Sequence, residues 1–501
     1  MHFRRVAAAT LALCFFAVAH VGATSPGKEK ADATATTFTD SGEAKYTKGD
    51  LDGAIVDYEK AIKLDPGFAR AYYSRGLARY DQGNVKDAIA DYNEAIKLNP
   101  QFEDAYVNRA LAKDDQNDHD GAIADETAAL KLDPNDPYAY NNRGWAYYKK
   151  GNVDAAIADY AQAIKIDPKL SQPYNDRGVA ERDQGNDDKA IADYSKAIAL
   201  NPTDDQAYYN RAIARDDKSD VEGAIADADS AIKLDPKYTE AYVTRAEIKL
   251  DKADWDGAIA DYTQAITLSP KDPSSYNERG LASYHKGEMA QALADYNKAL
   301  ELDPKNSHVY LNRGNVERLT GKQDAALADY TQALANDPKS DAALNNIGMI
   351  KQAQGDLAGA QADYQQALQL NAKNAEAVSN LSSVSADQGD WSAAANYASK
   401  ALNIDSEFAQ AYDNRGVAEF HLKNLASAIK DYDRALEVDP NDEHAYNNRG
   451  LALLSRGDYD GAMSDFDMAL QINPQFAQAQ HNRSLARWHN WDVLGAMADY
   501  L

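Results

Sequence analysis

Nine asparagines stand at separations of 34 residues or multiples of it: Asn108, Asn142, Asn210, Asn312, Asn346, Asn380, Asn414, Asn448 and Asn482. A carboxamide carries both donors and an acceptor, so a ladder of them can pair with successive peptide groups of an extended chain whatever its side chains. The same amides can instead bond neighbouring helices, or only water. Five aspartates keep the same spacing, Asp81, Asp115, Asp183, Asp217 and Asp251, with Lys149 in the one intervening place. Such a row would favour a basic partner segment and speed its encounter at low salt. It is equally the solvated face of a chain rich in acid.

Catalytic chemistry finds no comparable footing. The sequence has no glycine-rich phosphate loop, no G-x-S-x-G elbow and no H-E-x-x-H pair. Gln116-Asn-Asp118-His-Asp120-Gly121 superficially resembles a calcium loop, but Gln116 stands where the first aspartate belongs and Thr127 where the bidentate glutamate belongs. His285, His421 and His489 share one phase of the spacing, yet lie too far apart in sequence to converge on one metal. Paired carboxylates recur everywhere, so none stands out as a general acid or base. The sole cysteine, Cys14, excludes an intrachain disulfide and any zinc site that needs two thiolates. The expectation is a protein with no catalytic residues, no cofactor and no metal.

The positions that hold these residues are set by one repeating unit. Proline stands at 66, 100, 134, 168, 202, 236, 270, 304 and 338, then at 440 and 474. If residue 35 opens the first unit, position 20 is alanine in all fourteen units, and position 27 is alanine in every unit that reaches it. Within 138–168, apolar and small residues recur at three- and four-residue intervals on both sides of Gly151-Asn152, which describes two amphipathic helices and a tight turn. Asp-Pro or Asn-Pro then closes the second helix, because proline disfavours helical geometry in the residue before it. Small residues at positions 8, 20 and 27 let the helices approach closely, and tyrosines at positions 4 and 24 fill the space between units. A length of 501 residues would otherwise suggest about three domains; 35–501 reads instead as one array.

This pattern resembles the tetratricopeptide repeat family, whose 34-residue signature has a large aromatic at position 4, Gly at 8, Ala at 20, an aromatic at 24, Ala at 27 and Pro at 32. The resemblance covers 35–501, with the fourteenth unit cut short. It implies an all-α, right-handed superhelical solenoid whose first helices line a concave groove, acting as a scaffold that binds peptides or proteins. Position 6 faces that groove in the family, which is where the asparagines fall, and certain members hold peptide backbones with ladders of this kind. Position 13, where the aspartates fall, should sit at the groove edge. One departure is consistent: position 7, usually leucine, is arginine from Arg75 through Arg313 and again at Arg415, Arg449 and Arg483. Aspartate holds position 23 in thirteen units, with Tyr397 the exception. An arginine fork buried between helices needs a carboxylate, so a structural ion-pair ladder is expected, within or between units. Units 10 and 11 lose the arginine (Ile347, Leu381) and the tyrosine at position 4 (Leu344, Val378), which reads as drift, a softer joint or a specialised wall.

Residues 1–23 have two arginines, an apolar run from Val6 to Ala19 and small residues before position 24, the layout of a secretory signal peptide. The apolar run is shorter than the ~20 residues that span a bilayer. Cleavage after Ala23 would leave a short leader at 24–34 and a soluble periplasmic or secreted product. The formal charge of −26 opposes binding to phosphate backbones and anionic membranes, so neither nucleic acid nor membrane is expected as a partner. Trp488 and Trp491 lie near Leu501 without a polar capping helix; solenoids need caps, so self-association through this end is a further expectation. The expected function is a scaffold for an extended protein or peptide segment, with basic segments favoured. The alternatives are a carrier for a glycan strand stacked on Tyr80, Tyr148, Trp145 and Tyr284, and a structural spacer.

Overall fold

In repeat 2 the apolar spacing folds as read: helices Ala69–Asp81 and Val85–Leu98 are joined by a turn at Gly83. That turn requires left-handed backbone, with φ 83° at Gly83, a conformation that costs L-residues about 1–2 kcal/mol. Asn117, Ser219, Ala253, Lys423 and Trp491 occupy the same place in other repeats, with φ between 57° and 67°. An aspartate one residue further on commonly caps the second helix, as where Asp50 Oδ1 accepts from the Gly53 amide at 2.9 Å. Asp118 does the same for Gly121 at 3.0 Å, so the apparent calcium loop is an interhelix turn and a helix cap.

The computed structural model describes residues 26–500, with side chains from 34 to 499. It contains twenty-eight helices and no strand among the described residues. The expected signal peptide lies outside them. The first helix, Pro26–Tyr46, takes in residues 26–34 of the expected leader. The chain divides into two compact units, Met1–Ala241 and Tyr242–Leu501. Each is an all-α stack of helix pairs, the fold class expected, and each buries the alanines of positions 20 and 27 almost completely. No described helix is long and apolar enough to cross a membrane.

The tyrosine of position 24 lies over the glycine of position 8 in its own repeat. A methyl group on Gly76 would stand 2.6 Å from Tyr92 Cε1, and one on Gly178 equally close to Tyr194. Glycine gives the ring room in these repeats, while repeat 7 accommodates Ala246 beside Tyr262; the ring fills the gap between the paired helices.

The arginine of position 7 pairs within its own repeat. Arg75 Nε and Nη2 donate to Asp91 at 3.0 and 2.6 Å, and the same fork recurs from Arg109–Asp125 to Arg483–Asp499. The position-4 ring covers the guanidinium, as Tyr72 does at 5.6 Å from Arg75. Tyrosine, arginine and aspartate thus form one packed group. This explains why units 10 and 11 change together: Leu344, Ile347, Val378 and Leu381 are all buried and replace the tyrosine and arginine with apolar packing, while Asp363 of unit 10 pairs with Lys351 instead.

Candidate groove and pocket on the first helices

The position-6 asparagines face the preceding repeat. Nδ2 of Asn380 donates to Asn345 Oδ1 at 2.9 Å, and Asn312, Asn448 and Asn482 repeat this bond with Asn277, Asp413 and Asn447 at 2.8–3.1 Å. Asn210 does so with Asn175 at 3.0 Å. Asn108 uses the Tyr73 hydroxyl, Asn414 uses Ser379, and Asn346 reaches Asn315. Position 5 of one repeat and position 6 of the next therefore form a rung. Where position 6 is Asp176, which cannot donate, the direction reverses and Asn141 donates to it at 3.0 Å. Burial pushes Asp176 and Asp413 up to about 6, against the hydrogen bonds that their amide partners supply. Asn210 and Asn482 are buried; the other seven asparagines are half-buried.

All five position-13 aspartates are exposed. Three accept from a tyrosine of the preceding repeat: Tyr46 to Asp81, Tyr80 to Asp115 and Tyr148 to Asp183, each at 2.5 Å. The hydroxyl holds the carboxylate in place without neutralising it. At the opposite end of the first helix of repeat 3, Glu103 is pushed up to about 8 by burial and then by Asp136 and Asp104; Asp104 is raised by burial and Asp136. Negative charge is thus crowded at repeats 3 and 4. The three position-13 histidines serve packing: His285, His421 and His489 stack on Trp255, Trp391 and Tyr459. Among the described residues no cluster of histidine, cysteine or carboxylate side chains could hold a metal ion.

One site departs from the repeat. Position 24 of repeat 3 is Glu126 instead of an aromatic, and position 8 is Ala110 instead of glycine. Where Tyr92 and Tyr160 fill the neighbouring repeats, Glu126 leaves a hollow of about 370 Å³ open to solvent, lined by Tyr80, Leu111, Asp114, Asp115, Asn142 and Trp145 besides Ala110, Ala122 and Glu126 itself. Four of the sequence-derived residues meet here: Asp115 and Asn142 of the two ladders, and Tyr80 and Trp145 of the stacking alternative. Glu126 is 1% exposed, and neither carboxyl oxygen has a hydrogen-bond partner. Burial holds it well above the usual carboxylate range; the Asn142 amide works against this, and Asp136 and Asp125 add to it. Reading the units for their shared pattern passes over Glu126. The signal was a carboxylate at position 24, where the other repeats that lose the aromatic carry alanine (Ala228, Ala398).

Profiles described as TPR repeat match residues 42–83, 115–151 and 178–215. Others, described as tetratricopeptide repeat, match 69–102 and 137–170, then 243–307, 345–412, 386–443 and 414–477, and also 295–328. The chain belongs to the tetratricopeptide repeat family. Tetratricopeptide scaffolds are built for protein interaction, and that general role follows from membership. No curated protein sequence matches the chain. Among solved structures, the APC/C hetero-tetramer Cut9-Hcn1 is 14% identical, covering 92% of this chain and 98% of that one, with a TM-score of 0.46. MamA is 31% identical over 32% of this chain and 93% of its own, with a TM-score of 0.31. A tetratricopeptide repeat protein from Parabacteroides merdae is 19% identical over 50% and 98%, with a TM-score of 0.37.

Proposed function

We propose that the protein is a noncatalytic scaffold, exported by its N-terminal segment, that holds an extended basic segment of a partner protein along the first helices of its repeats. The observation that carries this reading is the row of exposed aspartates at position 13, three of them fixed by tyrosines of the preceding repeat. Carboxylates that are held in place but left charged lose little entropy when a cation arrives. The asparagine rungs spend Nδ2 on the preceding repeat and leave carbonyl oxygens to meet peptide N–H groups; at Asn414 that oxygen accepts from Gln410 at 3.1 Å.

Replacing the asparagines by alanine would break repeat-to-repeat bonds as well as binding. The cleaner test is Asp81→Asn, Asp183→Asn and Asp217→Asn together, which removes charge while keeping an acceptor for Tyr46 and Tyr148. A lysine-rich extended peptide should lose roughly tenfold or more in affinity, and the salt dependence should flatten. Affinity and salt slope unchanged by the triple substitution would remove the basic-segment reading. Export is tested by fractionating cells that express the full chain and sequencing the mature N-terminus, expected to begin at Thr24.

A further inference from the structure

The Glu126 hollow is the one feature of the groove for which packing gives no reason. A buried carboxyl costs stability unless it is paired, and every charged group around it already has a partner. Arg109 and Lys113 pair with Asp125, His119 bonds Asp114 at 2.6 Å, and the Lys149 ammonium lies over the Trp145 ring at 4.4 Å. Glu126 alone has no charged partner among the described residues. The lining around it is that of a cation receptor: the rings of Tyr80 and Trp145, the carboxyl groups of Asp114 and Asp115, and the Asn142 carboxamide. Trp145 already holds one ammonium, so its ring is placed where it can act on cations. Asp114 and Asp115 already bond His119 and the Tyr80 hydroxyl, which leaves Glu126 as the one open carboxyl; a compact ammonium matches this better than a guanidinium with five donors to satisfy.

We propose that this hollow receives the ε-ammonium of a single lysine of the bound segment, with Glu126 as its buried counter-ion and Trp145 and Tyr80 as its walls. The inference rests on the reading of the groove as a site for basic segments, and it adds a rule of specificity: lysine over arginine at the residue that reaches repeat 3. When the ammonium enters, Glu126 gives up its proton to solvent and becomes the paired carboxylate. Binding therefore releases a proton and strengthens as pH rises.

The test uses the full mature chain with end-capped oligolysine and oligoarginine peptides of equal length, titrated by calorimetry at low salt. The proteins compared are wild type, Glu126→Gln, and the paired change Ala110→Gly with Glu126→Tyr, which copies Gly76 and Tyr92 and fills the hollow. Wild type should bind oligolysine about tenfold more tightly than oligoarginine. It should also release a proton, read from heats in buffers of different ionisation enthalpy. Both variants should lose the preference and the proton release while still binding each peptide. A preference that persists in both variants overturns the pocket. Equal binding of the two peptides by all three proteins also overturns it but leaves the basic groove standing; no binding of either peptide by wild type removes both.

Discussion

Repeats 2 and 3 have the same two helices, the same Arg–Asp fork and the same Tyr–Asp contact to the repeat before, and they part at the space between their helices. Repeat 2 closes that space with Tyr92 on Gly76. Repeat 3 holds Glu126 and Ala110 there and stays open. The fork beside it is intact, with Arg109 bonding Asp125 at 2.8 and 2.6 Å. The contrast separates two uses of acid in one scaffold. Asp91 and Asp125 are structural because an arginine answers them; Glu126 has no cation to answer it among the described residues, which is the mark of a group reserved for something outside the fold.

The comparison can be broken most severely from the repeat 2 side. Tyr92→Glu should carry the open arrangement into a repeat whose Gly76 leaves nothing to support it. The expected loss is about 3–5 kcal/mol, the usual scale for a large buried aromatic. Because repeats unfold locally, the readout is faster hydrogen exchange of residues 69–98.

The reverse exchange, Ala110→Gly with Glu126→Tyr, should stabilise residues 103–132 by about 1–3 kcal/mol, since it fills a cavity and removes an unpaired buried carboxyl. Its pH signature follows from the sign of the Glu126 shift. A folded-state pKa above the unfolded one gives stability that is complete at acid pH and lost as pH rises through the folded value. Hydrogen exchange of wild-type repeat 3 should therefore loosen with rising pH more than that of the double variant.

Asp413 offers the same contrast within the second compact unit, where Asn345 and Asn447 make the equivalent rung with amides. With a folded value of about 6, its stability contribution is present below about pH 4 and lost by about pH 6. Asp413→Asn keeps the acceptor for Asn448 and should gain about 1–2 kcal/mol at neutral pH and nothing at pH 4, measured by denaturant melts at the two pH values. The smallest effect is at the turns: Asn117→Gly should match repeat 3 to Gly83 of repeat 2 and stabilise by at most about 1 kcal/mol.

Much of this was legible in the sequence because every unit repeats the same physics. The 34-residue spacing, the alanines at positions 20 and 27 and the closing proline set helix pairs and their turns without reference to tertiary contacts. The arginine and aspartate could be expected to pair, but whether within or between repeats depends on the angle between helices, which spacing does not carry. The asparagines show the same limit: their phase placed them on the groove side, while their amide nitrogens turn sideways to the preceding repeat. Glu126 was hidden for a different reason. A search for what repeats assigns meaning to the shared residue and none to the exception, and here the exception holds the pocket.

The central claim, that an extended basic segment lies along the first helices, is tested most directly by hydrogen exchange of the mature chain with and without a lysine-rich extended peptide at low salt. Protection is predicted for residues 69–81, 103–115, 137–149 and 172–183, strongest around 103–115 and 137–149 where the hollow lies. Protection confined to the second helices of these repeats, or none at saturating peptide, would contradict the account.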